Sequence, residues 1–215
     1  MSDLTLYIGN QKYSSWSMRP WIAMKVKDVP FNQELRRFDD HPERVDFKTF
    51  SPTATVPCLH NGDLRISESL AILEYLADLC PEKGFWPQDI SQRARARAIS
   101  TEMAAGFRHL RNECPMNFAR KHGALEVSDG VRGDVARIEQ IWSECLNASG
   151  GPFLFGEFCN ADAMFAPVVN RLEIYMLSVH PAVATYSAAM KGLPAWAEWE
   201  AAGKAEPWVY PPDEA

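Results

Sequence analysis

The sequence predicts two structural units in one chain, an α/β unit followed by an all-helical one, and three observations carry that expectation. Over 1–80 short apolar runs alternate with helical patterns. A Pro/Gly-rich stretch, Cys80-Pro81-Glu82-Lys83-Gly84-Phe85-Trp86-Pro87-Gln88, then interrupts the chain, and beyond it apolar residues recur at helical spacing. The division that follows is 1–80, a linker over 81–90, and 91–215.

Taken in order, 4–8 is a short apolar strand. The segment 17–27 carries Met18, Trp21, Ile22, Met24 and Val26 at mostly helical spacing. Pro20 is tolerated there only in a first turn, so the helix is expected to begin between Ser15 and Arg19. A second strand is read over 31–38 and a third over 56–60. Asn61-Gly62 is a two-residue turn into a fourth strand, 64–66, and a strong apolar helix follows Glu68-Ser69. The order is β-α-β, a loop, then β-β-α.

In the second unit Ala94, Ala98, Met103, Ala104, Phe107 and Leu110 suggest one long helix from 91 to 110 or beyond. Val135, Ile138, Ile141, Trp142 and Leu146 suggest another over 131–146. A third is expected over 162–179, interrupted near Pro167, and a short fourth over 195–202. The tail 207–215, with three prolines, should run extended across a surface.

Composition bounds the function classes. With 215 residues and 47% apolar content, the chain can bury one sizeable core or two small ones. A formal charge of −6 with dispersed basic residues argues against nucleic acid and against a polybasic membrane patch. The first residues lack the pattern of a signal peptide, and no run of about 18 apolar residues occurs. Cys58, Cys80, Cys114, Cys145 and Cys159 are odd in number and widely spaced, which indicates neither a disulfide framework nor a metal site and makes a reducing cytoplasm the default compartment.

Two motifs carry chemistry. Pro57 after the β-branched Val56, opening an apolar strand, suits a cis bond and a tight turn. That turn would leave the Val56 amide and carbonyl free for an extended ligand. Glu68-Ser69 sits where the first amides of a helix lack partners and favour an anion. A peptide bearing a carboxylate fits both.

With Tyr13-Ser14-Ser15-Trp16-Ser17-Met18-Arg19 and Phe158-Cys159-Asn160-Ala161-Asp162-Ala163 added, the chain resembles the soluble glutathione transferases over essentially its whole length. The first run is similar to the serine-type active-site loop of the zeta class, Ser-Ser-Cys-Ser followed by Arg. The second is similar to the capping motif of the helical domain, with Cys159 in the hydroxyl position. A thiol is a weak acceptor, so a weakened cap on an intact helix is expected, with Asn160 as a shifted cap the alternative.

The resemblance implies a thioredoxin-like first domain, an all-helical second domain and a two-fold homodimer. It implies that Ser14, or failing it Ser15, stabilises the glutathione thiolate, with Tyr7 or Tyr13 as alternative hydroxyls. It also implies that Val56 and Pro57 bind the cysteinyl part, and that Glu68 and Ser69 bind the γ-glutamyl end. For the glycyl carboxylate His41 is preferred over Arg44 and Lys48. Trp16 stands where the zeta loop has Cys, which disfavours mixed-disulfide chemistry. Cys58 reads as a buried structural thiol and Arg19 as a structural cation. Trp16, Met103, Phe107, Arg108 and Arg111 would line the second-substrate cleft, closed by Trp208 or Tyr210. An arginine in that cleft would suit a carboxylic acid. The activity implied is glutathione transfer to a small electrophile. A glutathione-dependent cis/trans isomerase of maleylacetoacetate type and a non-catalytic interaction module of the same fold are the alternatives.

Overall fold

The computed structural model describes residues 4–38 and 47–214. The first unit is β1 (Leu4–Ile8), α1 (Ser15–Val26), β2 (Asn32–Leu35), α2 (Phe47–Phe50), β3 (Cys58–Asn61), β4 (Leu64–Ser67) and α3 (Ser69–Leu79). The sheet order is β2-β1-β3-β4. β1 runs parallel to β2, with Thr5 opposite Asn32. It runs antiparallel to β3, with Tyr7 opposite Cys58, and β3 is antiparallel to β4. This is the thioredoxin-like arrangement. Asn61 pairs with Leu64, so the tight turn is Gly62-Asp63, one residue later than the sequence suggests; Gly62 supplies the positive φ of 59°.

The second unit contains α4 (Ile90–Ala105), α5 (Arg108–Glu113), α6 (Asp129–Ser149), α7 (Asn160–Ile174), α8 (Pro181–Lys191) and α9 (Pro194–Ala205). The long helix expected from 91 onward is two helices. A Cβ on Gly106 would lie 2.8 Å from the Glu102 carbonyl oxygen, and Phe107 has φ 51°, so the chain turns out of α4 there and restarts as α5. The Asp134 carboxylate accepts the Leu110 N–H at 2.9 Å and satisfies one early amide of the new helix. α7 runs unbroken through Pro167 and ends at Ile174 instead of near Val179. α8 has no counterpart in the sequence expectation.

Two helices are buried on nearly every side. In α1 the residues from Ser15 to Met24 are buried except Trp16, and in α7 nearly the whole length is buried. Such helices lie between layers instead of on a surface. α1 packs on β1 and α3 within its own unit and on α7 and α9 of the other. Trp21 meets Trp199 edge to face at 5.0 Å, and the Asn160 side chain donates to the Leu73 carbonyl at 3.1 Å. Asn160 therefore crosses between units and is not a shifted cap. The N-cap of α7 is Cys159, whose amide donates to the Asp162 carboxylate at 2.9 Å. The same carboxylate accepts from the Leu154 N–H and the Tyr186 hydroxyl.

All five cysteines are free. Among the described residues no cluster of His, Cys, Asp or Glu could hold a metal, and no helix is long and apolar enough to cross a membrane.

Candidate active site

The loop before α1 is clamped from three directions. The Asn10 carbonyl accepts the Tyr13 and Ser14 amides at 3.1 and 2.7 Å, and its side-chain oxygen takes the Phe38 N–H at 2.6 Å. Glu206, just past α9, accepts the Gln11 and Lys12 amides at 2.7 and 3.2 Å. The Lys12 carbonyl accepts the Phe118 N–H. This presents Ser14 as N-cap of α1 and Ser15 as its first residue, at the positive end of the helix.

Ser14 does not cap α1 with its side chain. Its hydroxyl donates to the Ser17 hydroxyl oxygen at 2.7 Å, and that oxygen also accepts the Gly9 N–H at 3.0 Å. Ser17 is fully buried and Ser14 nearly so. The Ser15 hydroxyl makes no hydrogen bond among the described residues.

The second half of the site adjoins the first. The Val56–Pro57 bond is cis. Neither the amide nor the carbonyl of Val56 takes part in a hydrogen bond among the described residues, leaving both for an extended peptide. Glu68 precedes α3 with φ 73° and ψ 123°, and its side chain is exposed. Ser69, the first residue of α3, is buried and donates its hydroxyl to the Trp16 carbonyl at 2.8 Å. Trp16 is four residues before Pro20, so its carbonyl lacks the helical N–H that any other residue at 20 would supply. Pro20 thus lies beyond the first turn, contrary to expectation, because Ser69 replaces the missing donor.

A cavity of ≈ 230 Å³ opens at the serine loop, lined by Tyr13, Ser14, Ser15, Trp16 and Phe38 from the first unit and by Arg111, Asn112, Pro115, Met116, Arg171 and Asp213 from the second; Val56, Pro57, Glu68 and Ser69 are not among its lining residues. Both of its arginines keep a buried nitrogen without a hydrogen-bond partner. Arg171 donates Nε to the Cys114 carbonyl at 2.9 Å, while one of its terminal nitrogens is buried without a partner; Arg111 Nε is likewise unpartnered. Behind Trp16 lies Arg19, fully buried, its guanidinium 4.0 Å from the Trp16 ring centroid, with Arg111 at 5.4 Å. Arg19 donates to the Met164 and Ser15 carbonyls and keeps one unpartnered nitrogen. Burial, together with the repulsion of neighbouring arginines, lowers all three guanidinium pKa values, that of Arg171 to about 10. A buried guanidinium N–H without a hydrogen-bond partner is costly and suits a site that receives an anion.

Of the residues expected around the second substrate, Trp16 and Arg111 line this cavity. Met103, on α4, and Phe107, at the break between α4 and α5, belong to the core instead, and Arg108 faces solvent. Tyr7 stacks on Phe50 at 4.5 Å, and neither lines the cavity. Tyr13 lines it, but its hydroxyl is engaged with Glu214 and the Trp208 carbonyl; burial and the Glu214 carboxylate push the phenol pKa up. Cys58 is buried, its thiol directed to the Phe50 carbonyl at 3.4 Å. Tyr210 packs against Tyr13 and Phe38, so the tail does form one wall, yet the tail residue that lines the cavity is Asp213. His41 and Arg44 lie outside the described residues; Lys48 is on α2. The sequence gives no site role to Arg171 or Asp213, and Ser17 stands in the serine loop motif without a role of its own.

The family model described as glutathione S-transferase, N-terminal domain, matches residues 13–79. The chain is 30% identical to a probable maleylacetoacetate isomerase of Caenorhabditis elegans, over 88% of this chain and 93% of that protein. It is 29% identical to the maleylacetoacetate isomerase of Rattus norvegicus, over 89% of each. Among solved structures, a glutathione transferase homolog from Burkholderia with bound glutathione superposes with a TM-score of 0.72 at 23% identity, covering 96% of this chain and 100% of that one.

Proposed function

The chain belongs to the glutathione S-transferase family, and from that premise we propose that it activates the thiol of glutathione for attack on a small electrophile bearing a carboxylate. The observation that carries this reading is the shared cavity wall. Ser14 and Ser15, at the positive end of α1, line the same cavity as Arg111 and Arg171, each of which has a buried N–H without a partner.

Glutathione fits the residues present. The free Val56 main chain would pair with the cysteinyl part, and the first amides of α3 with Ser69 and Glu68 would hold the γ-glutamyl end, with Pro57 fixing the turn between them. Ser14 would donate its hydroxyl proton to the sulfur. A free thiol of pKa about 8.5 is only a few per cent ionised at pH 7, and a charged hydrogen bond plus a helix end supply the roughly 2.7 kcal/mol that lowers it by about two units.

The thiolate lone pair then forms a C–S bond, either displacing a leaving group or adding to a conjugated double bond whose π electrons move to the carbonyl oxygen. In the second case rotation about the new single bond, followed by return of those electrons and loss of sulfur, regenerates glutathione and an isomerised substrate. That second reading, a cis/trans isomerase, is favoured by the arginine pair and by the names of the relatives. A two-fold homodimer is part of the proposal, checked by light scattering.

The test is an ultraviolet titration of the bound thiol in the wild type and in Ser14→Ala, joined to turnover of chlorodinitrobenzene and of maleyl-type keto acids. A depressed pKa restored by the mutation, with turnover of either substrate class, supports an enzyme. Binding without depression or turnover returns the reading to a non-catalytic module.

A further inference from the structure

The turn that presents Ser14 is held from the far end of the chain. Glu206, the buried residue that closes α9, accepts the Gln11 amide on one carboxylate oxygen at 2.7 Å and the Lys12 amide on the other at 3.2 Å. Two successive N–H groups converging on one carboxylate make a small anion-binding concavity in the backbone, filled here by the chain's own side chain. α9 lies flush against the same peptide: a Cβ on Gly203, one turn before Glu206, would stand 3.1 Å from the Gln11 carbonyl and from the Lys12 nitrogen. Gln11 and Lys12 are both buried, and no other acceptor for their amides occurs among the described residues. The Lys12 carbonyl and ammonium are tied to the second unit as well, to the Phe118 amide at 3.1 Å and the Trp208 carbonyl at 2.8 Å, but neither tie supplies what the two amides need.

We propose that Glu206 is a positioning residue for thiol activation, fixing the Gln11–Lys12 peptide so that the Ser14 hydroxyl meets the sulfur. The inference rests on the reading of Ser14 as the thiolate donor and adds what aims it. Without the carboxylate, two buried amides have no acceptor, a cost that the turn escapes only by rotating those peptides toward water. Asn10, the neighbouring residue, accepts the Tyr13 and Ser14 amides on its carbonyl, so rotation at 11–12 carries Ser14 with it. A displacement on the order of 1 Å at the donor is enough to forfeit much of a charged hydrogen bond. The hydroxyl therefore comes from the first unit and its aim from the second.

Ultraviolet titration of glutathione bound to the full chain reads the effect without turnover. Glu206→Ala is expected to raise the bound-thiol pKa by about one unit, a tenfold loss of ionisation, and Glu206→Gln, which keeps one acceptor oxygen, by less. In the Ser14→Ala background Glu206→Ala should add nothing, since it acts through the Ser14 hydroxyl. Ser128→Ala, which removes the side-chain cap of α6, controls for lost stability alone and should leave the thiol where the wild type holds it. An unmoved thiol pKa in Glu206→Ala beside a lower melting temperature overturns the proposal and makes Glu206 a structural tie only. A shift of equal size in the Ser14→Ala background also overturns it, because the carboxylate would then act on the sulfur by another route. If Glu206→Ala does not fold, Glu206→Gln decides alone, and an unmoved pKa there counts against the proposal. A wild type that fails to bind glutathione, or binds it with the thiol at its free value, defeats the reading of Ser14 and this inference with it; that failure shows in the wild type, whereas a depressed wild-type pKa shared by the Glu206 variants defeats this inference alone.

Discussion

The hydroxyl of Ser69 donates to the Trp16 carbonyl at 2.8 Å, and Trp16 is the residue whose helical partner Pro20 removes. One serine therefore repairs the first helix while standing at the start of α3. Ser69→Ala should cost about 1–3 kcal/mol in urea unfolding, the penalty of a buried carbonyl without a donor. Adding Pro20→Ala returns an N–H to that carbonyl and should recover much of the stability. Glutathione affinity, measured by calorimetry, should stay weakened in the double variant, which separates the two duties of Ser69.

Ser14 and Ser17 form a second pair. Ser17 oxygen already accepts from Gly9 N–H and Ser14, so when Ser14 turns its proton to a thiolate, Ser17 can direct its own proton back to Ser14 oxygen. Ser14→Ala should return the bound thiol to about 8.5. Ser17→Ala should raise it by a smaller amount, and should add nothing in the Ser14→Ala background, as coupled residues do. Equal, additive shifts in the ultraviolet titration would mean that Ser17 acts independently of Ser14.

Glu68 occupies φ 73° and ψ 123°, a region that side chains other than glycine's rarely enter. Glu68→Gly should raise thermal stability, by about 1 kcal/mol, because the strain disappears. The same variant should lose glutathione affinity, since the side chain expected near the ligand amine is gone. A thermal melt and a glutathione titration on one preparation read both.

Asp162 is buried, and desolvation raises its pKa from 3.8 to about 6 in spite of its hydrogen-bond donors. The folded chain thus holds the proton more tightly than the unfolded one. Its contribution to stability is complete below the unfolded value and declines as pH rises from about 4 through about 6, by an amount on the order of 3 kcal/mol. Urea midpoints between those pH values should fall in the wild type relative to Asp162→Asn. That variant should be less stable throughout, because an amide nitrogen replaces one of the acceptors for Leu154, Cys159 and Tyr186.

What could be read from the sequence followed from how locally each signal is encoded. The β-strands and α1 and α3 announce themselves through short apolar runs, and the Val56-Pro57 and Glu68-Ser69 pairs lie within a few residues of the elements that position them. The break between α4 and α5 was obscured because a lone glycine in a helical pattern is usually tolerated, and only the Glu102 carbonyl shows why Gly106 ends the helix. α8 was legible in principle: Pro181 sits at its first position, and Val183, Tyr186 and Met190 follow at helical spacing. Arg171 was not, since a helix buried on all sides has no polar face on which a cation stands out. Asp213 was equally hidden, because a proline-rich tail signals extension and says nothing about where it lands.

The burial of α1 and α7 against each other bears on how this chain could be recombined. An exchange that joined the first unit to the helical unit of another relative would cut through a continuous interior, putting at risk the side-chain partners Trp199 of Trp21 and Asn160 of the Leu73 carbonyl. The seam at the linker is therefore a boundary in sequence and not in packing, and viable crossovers would have to carry both central helices from one parent.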